Sequence, residues 1–171
     1  LDLCVASKPD SQEICFVEEN DYGRYICENT STEIRPGFFV DLEGNKLGKH
    51  KGIIHYTVGQ RKGLGNTFGK PMFVVAIKPE DNTVVLGEKK DVFSSELTAS
   101  NMNFISIPGL TCEMKVKAKI RYSSKEADAL ISPLNNNRVH VLFNEPQRAI
   151  TPGQSVVFYK EDEVVGGGVI D

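Results

Sequence analysis

The sequence has no apolar run long enough to span a bilayer, and no excess of positive charge. Lysine and arginine number 20 against 23 aspartates and glutamates. That balance excludes a domain whose whole surface is basic, so DNA and membranes are not expected partners and any contact with nucleic acid must be local. There is no internal repeat and no low-complexity tract. The four cysteines, Cys4, Cys15, Cys27 and Cys112, include no C-x-x-C pair and have no histidine at ligand spacing, so no metal site is expected. With no secretory segment, a disulfide framework is not expected either, and the free thiols read as small buried hydrophobes in a reducing, cytoplasmic setting. The chain opens on Leu1-Asp2-Leu3 rather than on methionine, which points to a piece of a longer polypeptide. With 171 residues it holds one or two compact domains.

What is present is mostly β pattern. Pro9-Asp10-Ser11 marks a turn leading to Cys15, and Glu18 to Asn29 has the spacing of a short amphipathic helix. After Arg35-Pro36-Gly37 strands are predicted at Phe38–Leu42, from Leu47 onward, at 71–78 and at 83–87, the last two joined by Pro79-Glu80-Asp81-Asn82 as a hairpin. A strict alternation then puts Cys112, Met114, Val116, Ala118, Ile120 and Tyr122 on one face, with Lys115, Lys117, Lys119 and Arg121 on the other. Further strands are predicted at 129–131, 138–143, 155–159 and 164–170, interrupted by 133–137, Asn144-Glu145-Pro146 and Thr151-Pro152-Gly153. Short strands at this spacing predict an antiparallel barrel, because closure removes exposed edges. The expected architecture is mostly β: residues 1–30 a cysteine loop and helix, 31–97 a small β-rich domain, and 98–171 a C-terminal barrel of the translation-factor kind.

Charge is uneven along the chain. Residues 1–45 carry ten acids against three bases, whereas residues 46–62 carry five bases and no acid. The segment from His50 to Gly65 combines those cations with glycines that let backbone N–H groups approach a ligand, a composition suited to phosphate or to a solvated turn. It lacks the order of a P-loop. Arg121-Tyr122 joins a planar fork for phosphate to a ring that can stack on a base. No triad or carboxylate pair can be assembled from the three histidines and the acids by sequence alone.

Taken together, Asp10-Ser11-Gln12-Glu13-Ile14-Cys15-Phe16, Pro36-Gly37, Gly48-x-His50-x-Gly52, Tyr56-Thr57-Val58-Gly59-Gln60-Arg61-Lys62-Gly63-Leu64-Gly65, Arg121-Tyr122, Thr151-Pro152-Gly153-Gln154 and Gly166-Gly167-Gly168 resemble the tRNA-specific 2-thiouridylases, over the C-terminal half of that family. The resemblance implies an ATP-dependent sulfurtransferase that makes 2-thiouridine at the wobble uridine of tRNA. ATP would be bound by an N-terminal domain not included here, and residues 1–30 would be that domain's tail. Cys15 matches the cysteine that carries a persulfide loaded by a sulfur-carrier protein or cysteine desulfurase. A second catalytic cysteine, which could close a disulfide with it, would lie upstream. Arg121, Tyr122 and Gln154 match tRNA contacts in the barrel, and Gln60, Arg61 and Lys62 belong to the central tRNA-binding domain. The 171 residues alone are expected to be inactive. Without that resemblance, two other readings stand: a non-catalytic RNA-binding barrel, and a thiol-redox protein using Cys15.

Overall fold

A computed structural model of the chain describes residues 17, 22–30, 33–65 and 68–171. Cys15 and the string around it lie outside the described residues. The helix α1, Tyr22–Asn29, ends where the pattern predicts. Arg24 pairs with Glu28 one turn on, Gly23 is its one buried residue, and Tyr22 and Ile26 stay more than a third exposed.

Two β units follow. The first is a four-stranded sheet of β1 (Gly37–Val40), β2 (Lys46–His50), β3 (Phe73–Lys78) and β4 (Thr83–Gly87), in the order β2-β1-β4-β3. The predicted hairpin is β3 with β4, closed by Pro79 to Asn82, and Asn82 takes the left-handed conformation such a turn needs (φ 50°). β1 joins β4 in parallel, so the sheet is mixed. Its core is Phe39, Tyr56, Leu64, Met72, Val74, Val84 and Leu86, with the Phe39 and Tyr56 rings edge to face at 5.1 Å.

The second unit is a closed antiparallel barrel in the order β10-β5-β8-β7-β6-β9, built from β5 (Phe93–Phe104), β6 (Met114–Lys119), β7 (Ala127–Leu134), β8 (Arg138–Arg148), β9 (Ser155–Lys160) and β10 (Glu163–Ile170). Closure pairs every strand on both sides and turns Val116, Ala118, Ile131, Val141, Val156 and Phe158 inward. Burial of each large aliphatic or aromatic side chain contributes about 2 kcal/mol. Gly166 and Gly168 bring β10 against β5, since a Cβ on either would stand within 2.5 Å of Asn103 O or Met102 Sδ.

Several expectations differ from this structure. The longest strand, β5, was not predicted, and it starts the barrel at Phe93, ahead of the expected start at residue 98. The alternation holds from Met114 to Ile120 only. Cys112 precedes β6 and is exposed, while Tyr122 follows it in a turn and is 76% exposed, because neither residue has a ladder to hold it. Cys27, on the outer side of α1, is likewise an exposed thiol rather than a buried one. Asn144-Glu145-Pro146 does not end β8. The pairing passes from Leu142 opposite Glu96 to Gln147 opposite Ser94, so these residues bulge while the strand continues to Arg148. Pro133 belongs to β7, at a point past its last pairing with β6, where the missing N–H costs no ladder bond. No helix among the described residues is long and apolar enough to cross a membrane.

Candidate nucleic-acid interface

Where β6 ends, the chain turns sharply from Arg121 to Ser124. The Ser124 hydroxyl donates to Arg121 O at 2.8 Å and accepts from Arg121 N–H at 3.2 Å. Across the barrel mouth, Thr151 to Gln154 form another turn, pinned to the end of β10 by Gly153 N–H to Ile170 O and Ile170 N–H to Gln154 O, both 2.8 Å. These two turns face each other across a cavity of about 740 Å³ whose lining includes Lys119, Arg121, Tyr122, Gln154 and Tyr159. Three residues separated by up to 33 positions in the sequence, Arg121, Tyr122 and Gln154, are thus brought to one place.

The cavity's electrostatics follow from its lining. It contains Lys119 and Arg121 and no carboxylate among the described residues, so it favours an anion. The Tyr122 ring is displayed to solvent with the Lys119 ammonium 5.7 Å from its centroid. Two polar atoms of these lining residues are buried without a partner among the described residues: the donor Arg121 Nε and the acceptor Gln154 Oε1. A buried polar group left unpaired costs about 1–3 kcal/mol, so this corner of the barrel gives up stability. An anionic, hydrogen-bonding, stackable ligand describes a nucleotide.

The glycine-rich segment behaves differently. Gln60 is occupied by its own loop: its Oε1 accepts from Thr57 N–H at 2.9 Å and its Nε2 donates to Lys62 O at 2.9 Å. Backbone bonds from Gly59 N–H to Val74 O and from Val74 N–H to Gln60 O fasten the loop to β3. Gln60 therefore shapes the loop, and its neighbours Arg61 and Lys62 are left exposed at the tip. Arg61 borders a second cavity of about 550 Å³, together with Gly63, Phe68, Lys70 and Met72. Lys70 is bonded to Glu88 at 2.7 Å, which raises the lysine's pKa and lowers the glutamate's.

Other motif residues serve the fold. His50 is 4% exposed, accepts from Gly52 N–H through Nδ1 at 3.1 Å and donates from Nε2 to Asn82 O at 3.2 Å. Burial lowers its pKa. Asn82 in turn donates to Arg35 O and Pro36 O. Gly37 lies beneath both, for a Cβ there would meet Asn82 O at 2.0 Å and the His50 ring at 2.7 Å. Sequence reasoning missed Arg148, whose guanidinium donates to Gly59 O at 2.8 Å and whose carbonyl accepts from Arg121 Nη2. It was hidden by the turn-like residues that precede it.

Two family models match the chain. One is described as an aminomethyltransferase beta-barrel domain and covers residues 94–170; the other is a tRNA methyl transferase PRC-barrel domain and covers residues 24–88. Among curated relatives, the tRNA-specific 2-thiouridylase MnmA of Acetivibrio thermocellus is 68% identical over 170 residues, 99% of this chain and 47% of the relative. The tRNA-specific 2-thiouridylase MnmA 2 of Caldanaerobacter subterraneus subsp. tengcongensis is 64% identical over all of this chain and 47% of its own length. The tRNA-specific 2-thiouridylase MnmA of Clostridioides difficile is 56% identical over all of this chain and 47% of its own length. The chain spans about half the length of the curated relatives it matches.

Proposed function

The chain belongs to the tRNA-specific 2-thiouridylase family, and from that premise we propose that it is the tRNA-holding and sulfur-carrying part of an ATP-dependent tRNA-uridine 2-sulfurtransferase. The observation that supports this reading is the barrel cavity, where a stackable tyrosine and two cations meet with no carboxylate among the described lining residues. Those are the needs of an RNA nucleotide rather than of a small neutral metabolite.

Replacement of the uracil C2 oxygen by sulfur requires that oxygen to become a leaving group, which is the chemistry ATP supplies from a domain outside this chain. Cys15 carries the incoming sulfur as a persulfide, loaded by a cysteine desulfurase or a carrier protein. Its terminal sulfur forms the bond to C2 as the bond from C2 to the ATP-activated oxygen breaks and that oxygen departs with its activating group. A second cysteine outside this chain then attacks Cys15 Sγ and breaks its bond to the transferred sulfur; the two thiols give up two electrons in forming a disulfide, and the sulfur left on the base keeps them as the thiocarbonyl. The described residues enter by positioning. Arg121, Tyr122 and Gln154 grip the tRNA at the barrel, and Arg61 and Lys62 grip it at the glycine-rich loop, so the reacting base is held by contacts remote from itself. The setting is cytoplasmic, where thiols stay reduced until charged with sulfur.

The test is Cys15→Ser in the intact protein. Thiouridine in tRNA, read by mass spectrometry of nucleosides, should vanish while tRNA affinity is retained. Thiouridine persisting in cells that depend on the variant would overturn the assignment of Cys15.

A further inference from the structure

Two basic places on this molecule, the Arg61 loop and the Arg121 turn, belong to different folded units, yet one side chain joins them. Arg148 closes β8 at the barrel rim, opposite Phe93. Its Nη2 donates to Gly59 O at 2.8 Å, reaching 89 positions back to the loop that displays Arg61 and Lys62. Its backbone carbonyl accepts from Arg121 Nη2, on the turn that walls the cavity. The next residue, Ala149, is buried, holds a left-handed backbone (φ 54°) and donates its N–H to Val92 O. Gly59, at φ 87°, lies so close that a Cβ there would stand 2.7 Å from Ala149 Cβ. An unbroken path of hydrogen bonds therefore runs from β3, through Gly59 and Arg148, to Arg121.

From this path we infer that Arg148 is a positioning residue that braces the glycine-rich loop against the barrel, so that the two basic places meet one RNA as a single preset footprint. The brace rests on the reading of the chain as tRNA-binding, and deepens it. Two sites on independently moving units must each be ordered when RNA binds, whereas two sites already held at the right spacing gain the second contact at little further entropic cost. Arg suits the task because one end of the fork can bond a carbonyl while the planar group stays charged beside a polyanion.

The test compares Arg148→Met, which keeps the stem and removes the donors, with Arg148→Lys, which restores a donor, in the intact protein. Arg148→Met should weaken tRNA binding about tenfold, because one of two linked sites is no longer preset. The slope of affinity against salt should fall only as far as the loop's own contacts are lost. The cost of a further Arg61→Ala should shrink severalfold, and amide exchange from Gly59 to Lys62 should quicken. Arg148→Lys should recover most of the affinity. If Arg148→Met does not fold, Arg148→Gln, shorter and uncharged, carries the same readings. Unaltered affinity would overturn the brace. So would a loss of roughly one unit of salt slope with the Arg61→Ala cost intact, since Arg148 would then be a direct phosphate contact. If the native protein binds no tRNA, the functional reading falls, and amide exchange alone decides whether Arg148 holds the loop.

Discussion

The four-stranded unit and the barrel use their distinctive residues in opposite ways. In the sheet, Gly37, His50, Gly52 and Asn82 spend their hydrogen bonds and their space on one another, and Gln60 spends its own on Thr57 and Lys62 of its loop. In the barrel, Arg121 and Gln154, which line a cavity, each keep a buried polar atom unpaired among the described residues. Native proteins leave few such atoms, because each costs stability. A distinctive string can therefore record either a folding requirement or a contact with something else, and the hydrogen-bond inventory tells the two apart. By that criterion the long glycine-rich string is mainly architecture that presents Arg61 and Lys62, and the short pairs Arg121-Tyr122 and Gly153-Gln154 are the more exposed to partners.

The largest effect that would test this contrast is Gly37→Ala. The new Cβ would overlap a backbone oxygen, Asn82 O, which has no side-chain freedom to retreat. Overpacking of that kind costs roughly 3 kcal/mol. Amide protection should collapse in β1 to β4 while β5 to β10 keep theirs. A sheet that melts no earlier than the native one would show that the His50, Asn82 and Gly37 cluster is not its keystone.

A smaller change of opposite sign is expected at Gln154→Leu. Its side-chain oxygen is buried and unpaired, so an apolar replacement should leave stability unchanged or raise it by about 1 kcal/mol. Affinity for tRNA should fall about tenfold, equivalent to about 1.4 kcal/mol. Chemical denaturation and a binding isotherm on one preparation give both numbers. Lost stability with undiminished affinity would move Gln154 into the same class as His50.

How much of this was legible beforehand depends on which signal each element carries. The β3–β4 hairpin and β6 were readable because a turn cluster and strict alternation are local properties. β5 was not. Of its twelve residues only Leu97, Ala99 and Met102 are buried, scattered among serines, asparagines and threonine, and what makes it a strand is the pairing with β8 and β10 that closure imposes. The bulge at Asn144 to Pro146 looked like a terminus for the same reason: a bulge and a turn use the same residues. The meeting of Arg121, Tyr122 and Gln154 could be anticipated from family resemblance alone, since no periodicity links residues so far apart. Arg148 carried no signal of either kind, because its partner is a backbone carbonyl, and carbonyls leave no trace in a sequence.

The smallest effect expected is a pH dependence confined to the sheet. His50 is buried, and its Nδ1 accepts a hydrogen bond from Gly52 N–H, so a proton on Nδ1 would set two donors against each other at 3.1 Å. Burial accordingly holds its pKa below the ordinary 6.5. The unfolded chain then binds this proton more readily than the folded one. Stability is full above about pH 6.5 and is lost as the pH falls from there through the lower folded value. His50→Asn places Oδ1 where Nδ1 stands and cannot take up a proton, so the variant should be less stable at neutral pH but flat across that window. A profile as steep in the variant as in the native chain would assign the acid sensitivity elsewhere and leave His50 as packing alone.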